Sequence, residues 1–144
     1  MRINDLLRVK GTRVVTVTPD TNVRQLLQVL AEHGIGAVVV SVDGKSVDGI
    51  VSERDVVRAF ALRGAAVMSE PVTEIFTAEV RTVTPDTSLD DVMRLMTEHR
   101  MRHAPVLVDG DLGGLVSIGD VVKNRMDELE TERTALSDYI TTAR

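Results

Sequence analysis

The sequence has no cysteine, no tryptophan and very few aromatic residues: two phenylalanines and one tyrosine among 144 positions. Without cysteine there can be no disulfide bond, no thiolate metal site and no cysteine nucleophile. Three aromatic side chains (Phe60, Phe76 and Tyr139) are too few for a base-stacking platform of the kind that binds single-stranded nucleic acid, or for an aromatic cage.

A surplus of positive charge is also missing. The chain carries 17 Lys and Arg against 22 Asp and Glu, a net charge of −5. This balance argues against a basic face that neutralises many phosphates, so we expect no nucleic-acid partner. No unbroken apolar run is longer than four residues, and the N-terminus has no apolar signal core. We therefore expect no membrane contact and a cytoplasmic location.

Valine carries most of the apolar content. It occupies 24 of the 144 positions, and apolar residues together make up 43% of the chain, enough for a folded core. Valine-rich strands are typical of sheets that helices cover on both faces.

The main organising feature is an internal duplication. VVTVTPDT at 14–21 recurs as VRTVTPDT at 80–87, and 13 of the 31 aligned pairs from Val14 to Gly44 are identical. GIVSERDVV at 49–57 then matches GLVSIGDVV at 114–122. The spacing between the copies falls by one residue before the second motif, where a hairpin loop can absorb the change.

Each copy predicts the same order of elements: strand, helix, strand, strand, helix. Short β-branched runs indicate the strands, and Asp-Gly turns indicate a hairpin. Leucine, valine and methionine at helical spacing indicate the first helix of each copy. In the second copy, Thr87 followed by Asp90 predicts a helix N-cap that the first copy lacks.

In this order of elements, with GIVSERD and GLVSIGD ending the hairpins and Pro105 in HAPVLVDG, the chain resembles the CBS (cystathionine β-synthase) domain, two of which form a Bateman module. The resemblance covers Val14 to Lys123, and the flanks resemble the stand-alone bacterial form. It implies an α/β fold of two tandem β-α-β-β-α repeats packed about a pseudo-two-fold axis, with an N-terminal helix and a long C-terminal helix. The expected parts are an N-terminal helical segment (1–13), repeat 1 (14–66), a linker (67–79), repeat 2 (80–126) and a C-terminal helix extension (127–144).

The resemblance further implies a regulatory sensor that is not an enzyme. Its ligand would be an adenine nucleotide (AMP, ADP, ATP or NAD), held in clefts between the repeats with no catalytic cofactor and no metal. The partners implied are a second copy, in a homodimer, and an unknown effector protein. The first site would use Ser52, Arg54, Asp55, Thr82, Val83, Arg102 and His103. The second site would use Ser117, Asp120, Thr16, Val17, Gly36 and Ala37.

Physical chemistry agrees with this assignment. Each serine precedes a helix, whose N-terminus favours an anion such as phosphate, and a carboxylate accepts hydrogen bonds from a ribose diol. Because Arg54, Arg102 and His103 flank only the first site, we expect that site to prefer the more phosphorylated ligand.

Purely structural interpretations of the same residues stay open. Ser-x-x-Asp is also a helix-capping sequence. A heptad-like stripe of apolar residues near the C-terminus predicts either a helix folded back on its own domain or a dimer contact. The stripe is interrupted at Arg133 and consists of Val122, Met126, Leu129, Leu136 and Ile140. The alternative functions are a ligand-free scaffold for oligomerisation or protein interaction and, less favoured, an enzyme acting on nucleotides.

Overall fold

The computed structural model describes residues 1–142 and contains the duplicated order of elements. Chain order is α1 (Ile3–Lys10), β1 (Thr16–Val17), α2 (Val23–His33), β2 (Ala37–Val40), β3 (Gly49–Ser52), α3 (Glu53–Arg63), α4 (Leu89–Glu98), β4 (His103–Val108), β5 (Asp111–Ser117) and α5 (Ile118–Thr142). Two short 3-10 helices follow α3: Gly64–Ser69 spans the end of the first repeat and the start of the linker, and Val72–Glu74 lies within the linker.

Two small sheets carry the repeats. In the first, β1 pairs in parallel with β2, and β2 pairs antiparallel with β3. In the second, β4 and β5 form an antiparallel hairpin, and Val83 makes a single parallel bridge to Val106 where the first copy has β1. The predicted α/β class and the tandem repeats are confirmed.

The predicted helix cap in the second copy was wrong by one residue. Ser88, not Thr87, caps α4 by accepting from the backbone N–H of Asp91 at 3.1 Å. Thr87 instead accepts from the N–H of Thr84 and closes the turn before the helix. The first copy has a cap as well, because the side chains of Asn22 and Gln25 bond reciprocally to each other's backbone N–H groups.

Each repeat has its own hydrophobic core, and each core takes residues from outside its repeat. Ile3, Leu6 and Leu7 of α1 are buried in the core of the second repeat, although they precede the first repeat in the chain. Val67 and Val72 of the linker are buried in the core of the first repeat. The two segments therefore cross over, and each core is completed by the segment that precedes the other repeat.

Helix α5 extends beyond the repeats. Its 25 residues span roughly 37 Å at 1.5 Å per residue. Val121 near its start is buried, whereas the stripe of apolar residues further along is exposed: Val122 (38%), Met126 (63%), Leu129 (47%), Leu136 (61%) and Ile140 (53%). The exposed fractions show that the stripe is not folded back into the core of this chain.

The predicted C-terminal extension ends at Ala143 and Arg144, which lie outside the described residues. The predicted domain boundaries stay predictions. Among residues 1–142, no helix is long and apolar enough to cross a bilayer.

Candidate nucleotide-binding site

A cavity of about 1040 Å³ lies where the two repeats meet. One wall is formed by the start of β2 and by the junction of β3 with α3, both in the first repeat. The other wall is formed by residues 79–81, where the linker meets the second repeat, and by the loop from α4 to β4 in the second repeat. Its volume is at the upper end of the range of small-molecule sites.

Ser52 and Asp55 stand on the first wall. β3 ends at Ser52, and the turn into α3 is fixed by a reciprocal cap: the N–H of Ser52 donates to Asp55 Oδ2 at 2.8 Å, and the N–H of Asp55 donates to Ser52 Oγ at 3.3 Å. The capping interpretation of the motif is therefore correct. It uses only one carboxylate oxygen, because Asp55 Oδ1 has no hydrogen-bond partner within residues 1–142. The motif can cap the helix and still offer an acceptor to the cavity.

Positive charge is concentrated around this acceptor. The wall carries five arginines: Arg54, Arg58, Arg81, Arg100 and Arg102. None of them forms an ion pair within the described part of the chain. The carboxylates on the wall are only three, Glu53, Asp55 and Glu79. In a chain of net charge −5, this cluster makes the cavity locally positive and suited to a phosphorylated anion.

Arg100 is held in an unusual backbone conformation. Its φ is +50°, in the left-handed region, which is unfavourable for residues with a Cβ atom. The corresponding residue of the first copy is Gly34, with φ +61°. The second copy thus places a guanidinium at the cavity where the first copy uses the residue best suited to the turn.

Between the charges the wall is apolar but not aromatic. Ala37, Ile50, Val80 and Met101 line the cavity. These side chains can bury the faces of a flat heterocycle by van der Waals contact, without ring stacking.

His103 stands at the start of β4 on the second wall. Burial is the main cause that lowers its pKa below the ordinary value of 6.5, and the positive charges of Lys10 and Arg102 act in the same direction. The negative charges of Asp120 and Glu53 raise the pKa but do not reverse the shift. The lowered pKa favours the neutral imidazole, which can both donate and accept a hydrogen bond.

Five residues of the first predicted set meet at the cavity: Ser52, Arg54, Asp55, Arg102 and His103. Thr82 and Val83 do not line it. The side chain of Val83 is buried in the second core, and its N–H donates to Pro105 O at 3.0 Å. Val80 and Arg81, two residues earlier, take the place on the wall that was predicted for this pair.

The second predicted set is divided in the structure. Gly36 and Ala37 line the cavity beside Ser52, since Ala37 lies directly opposite Ser52 in the β2–β3 register. Thr16 and Val17 form β1, and Val17 is buried in the first core.

Ser117 and Asp120 lie at the start of α5 and do not line the cavity. They form a cap like that of Ser52 and Asp55, with Ser117 N–H donating to Asp120 Oδ2 at 2.9 Å. The ammonium of Lys10 also donates to this oxygen and, at 2.7 Å, to Leu115 O. Burial acts to raise the pKa of Asp120, but the hydrogen bonds from Lys10 and Ser117 outweigh it, and the pKa is lowered.

Sequence reasoning missed several residues on the wall. Arg58 follows Arg54 by one helical turn, and this i, i+4 spacing could have identified it. Arg81 comes from the irregular start of the second repeat, and His99 and Arg100 come from the loop after α4, so no periodicity points to a shared surface. Within residues 1–142, no group of three or more His, Asp or Glu side chains is placed to hold a metal ion.

Comparison with known proteins identifies the family. The CBS domain profile matches residues 5–62 and 67–127, one match for each repeat. The chain belongs to the CBS domain family and contains a tandem pair of these domains.

Individual relatives agree with this assignment. The chain is 36% identical over 146 residues to the mitochondrial CBS domain-containing protein CBSX3 of Arabidopsis thaliana, covering 96% of this chain and 71% of that protein. The crystal structure of the CBS-domain protein ATU1752 of Agrobacterium tumefaciens superposes with a TM-score of 0.83 at 43% identity, covering 87% of this chain and 99% of the other.

A more distant structure shares the fold and contains ligands. The CBS domain pair of protein MJ0100, solved in complex with 5′-methylthioadenosine and S-adenosyl-L-methionine, is 20% identical. Its TM-score is 0.78, with coverage of 89% of this chain and 98% of the other.

Proposed function

We propose that this CBS pair is a regulatory module that binds an adenosine ligand carrying phosphate groups in the cavity lined by Ser52 and Asp55. The observation that carries the proposal is the pairing of an unused carboxylate oxygen, Asp55 Oδ1, with five arginines that have no ion-pair partners in residues 1–142. The carboxylate suits a ribose diol, and the guanidinium groups suit phosphate oxygens. The adenosine ligands of the MJ0100 domain pair are a precedent for this ligand class in the same fold.

The cavity favours several phosphates over one. AMP, ADP, ATP and NAD all contain the adenosine that the apolar wall and Asp55 would hold. A single phosphate leaves most of the cationic cluster without a partner, whereas a triphosphate can contact several guanidinium groups. We therefore expect ATP to bind more tightly than AMP at the same ionic strength.

Isothermal titration calorimetry with adenosine, AMP, ADP, ATP and NAD tests this proposal, supported by thermal unfolding. A ligand at 100 times its Kd should stabilise the protein by about 2.7 kcal/mol. Asp55→Asn keeps an acceptor for the helix cap but removes the carboxylate, and it should weaken every adenosine ligand at least about tenfold, the size of one charge-assisted hydrogen bond. Arg102→Ala should weaken ATP more than adenosine.

Arg24→Ala is the matched control, because Arg24 is an exposed arginine on α2 and is not on the cavity wall. Equal affinity for AMP and ATP that Arg102→Ala leaves unchanged would contradict the phosphate preference. Absence of binding by all five compounds would contradict the proposal itself.

A ligand-free scaffold remains the second candidate, and the exposed apolar stripe of α5 favours it. On that view the repeats present a helix for assembly, and no small molecule is needed. The two functions are compatible if the ligand acts by changing the assembly of a homodimer or its contact with an effector protein, since a ligand shifts a conformational equilibrium by its differential affinity for the two states. The homodimer, the effector and the cytoplasmic location stay predictions. No catalytic step and no catalytic cofactor enters this function.

A further inference from the structure

The two Ser-x-x-Asp motifs differ in what their carboxylates contact. In the first motif, the carboxylate of Asp55 accepts hydrogen bonds only from Ser52 among the described residues. In the second, Asp120 also accepts from the ammonium of Lys10, a residue of the N-terminal helix 110 positions away in the chain. Both contacts use Asp120 Oδ2, so Oδ1 has no hydrogen-bond partner in residues 1–142, but in the second repeat an internal ammonium stands beside the carboxylate that would bind the ribose.

Lys10 reaches this position because α1 and the linker occupy equivalent places in the two repeats. The N–H of Ile3 donates to Thr87 O at 2.9 Å, and the N–H of Val72 donates to Thr21 O at 2.8 Å. Thr21 and Thr87 are corresponding residues of the repeat, so α1 enters the second repeat as the linker enters the first.

The same correspondence continues under the hairpins. Gly114 contacts Leu7 of α1, and Gly49 contacts Phe76 of the linker, each so closely that a Cβ atom on the glycine would overlap its neighbour. Both entering segments are therefore held tightly against the β3 or β5 strand that leads to the motif.

Beyond these glycines the two segments diverge. In the first repeat the N–H of Thr77 donates to Ile50 O at 2.9 Å. In the second repeat the corresponding carbonyl, Leu115 O, accepts from Lys10 Nζ at 2.7 Å. A lysine side chain has taken the place of a backbone donor, and its three N–H groups allow it to contact Asp120 as well.

We propose that Lys10 closes the second site, so that this CBS pair binds one adenosine ligand per chain, at the first motif. The inference rests on the proposed function of the first site. It makes Lys10 an internal occupant that a ligand at Asp120 must displace. Ile3, Leu6 and Leu7 hold α1 in the second core, so the side chain of Lys10 can rotate away while the helix stays in place.

The size of the effect follows from the contacts. Lys10 and Asp120 are partly exposed, at 39% and 30%, so the ion pair is weaker than a buried one. Because Asp120 Oδ1 has no partner in residues 1–142, the cost to a ligand is the displacement of the neighbouring ammonium from Oδ2 and not the loss of the only acceptor. Removing the ammonium should therefore raise the affinity of the second site about five- to tenfold.

Calorimetric titration with adenosine and with ATP tests the proposal. Lys10→Met keeps most of the side-chain length and removes the charge. The expected number of sites per chain is one in the original protein and two in Lys10→Met. In Lys10→Met with Asp55→Asn, the first of these two sites should be at least about tenfold weaker and the second unchanged. Lys45→Met is the matched control and should leave one site, because Lys45 is an exposed lysine with no ion pair in residues 1–142. Adenosine is included because it has no phosphate that Lys10 could attract.

Each other outcome separates the two proposals. One site in both the original protein and Lys10→Met overturns the closure by Lys10 and leaves the first site standing. Two sites in the original protein, with weaker ATP binding in Lys10→Met, overturns it as well and makes Lys10 a phosphate-binding residue. Binding by neither protein overturns the proposed function together with the inference, and circular dichroism of Lys10→Met verifies that the variant is folded.

Discussion

At the cavity, the second copy has a different residue from the first at a position with an unusual backbone conformation. The turn after α2 ends on Gly34, and the equivalent turn after α4 ends on Arg100 with a similar positive φ. A residue with a Cβ atom in this region costs about 1–2 kcal/mol relative to its preferred conformation. The protein therefore maintains backbone strain at the position from which Arg100 reaches the cavity, a pattern typical of functional sites.

We predict that Arg100→Gly makes the protein more stable and a poorer binder of phosphorylated ligands. Relief of strain, offset in part by the greater freedom of glycine in the unfolded chain, should raise the free energy of unfolding by about 0.5–1 kcal/mol. Urea denaturation followed by circular dichroism measures the first effect, and titration with ATP measures the second. Gly34→Ala is the mirror control and should destabilise the protein. A less stable Arg100→Gly would show that the arginine makes contacts worth more than the strain.

At this scale the sequence predicted the motif and not its surroundings. Ser52, Asp55 and Arg102 were predicted as site residues from the duplicated motif and the family resemblance, and all three line the cavity. Val83 was predicted for the same site, but its side chain lies in the second core, and the alternating pattern of its neighbours does not reveal this orientation. Arg81 and Arg100 come from irregular segments, whose approach to the cavity depends on tertiary packing.

Among the elements, α5 is the one whose packing within the chain leaves most apolar surface exposed. Its first turns contact α4 and α1, and the residues from 129 to 142 are exposed or only partly covered. The sequence predicted the stripe from its heptad-like spacing. It could not distinguish a helix folded back on its own domain from a dimer contact, because that depends on whether another element of the described chain covers the stripe, and none does. Apolar residues at this spacing form the contact seam when two helices pack as a coiled coil.

We predict that the α5 stripe mediates self-association. Leu136→Glu places a charge on the stripe and should shift the protein toward monomer in sedimentation velocity experiments, because burying an unpaired carboxylate is costly. Thr131→Glu adds the same charge to the opposite side of α5, at an exposed position, and should leave the assembly unchanged. If the original protein sediments as a monomer at all concentrations tested, the stripe has another role.

At the scale of the whole molecule, the crossover of segments joins the two repeats into one folding unit. The sequence predicted the duplication and the need for the halves to pack together, because a unit of this size buries too little surface alone. It could not predict which segment completes which core. The apolar residues of α1 and of the linker are of types that could be buried in either core. Only the three-dimensional structure shows that Leu6 packs in the second repeat and Val72 in the first.

This arrangement predicts a single cooperative unfolding transition. Leu6 and Leu26 are both fully buried, one in each core, so Leu6→Ala and Leu26→Ala should each cost about 2–5 kcal/mol and lower the midpoint of the same transition. Differential scanning calorimetry checks this through the agreement of calorimetric and van't Hoff enthalpies. The exposed Leu62→Ala is the control and should change little. Two resolved transitions in Leu6→Ala would mean that the first repeat is stable without the second, and that the crossing segments do not couple the cores.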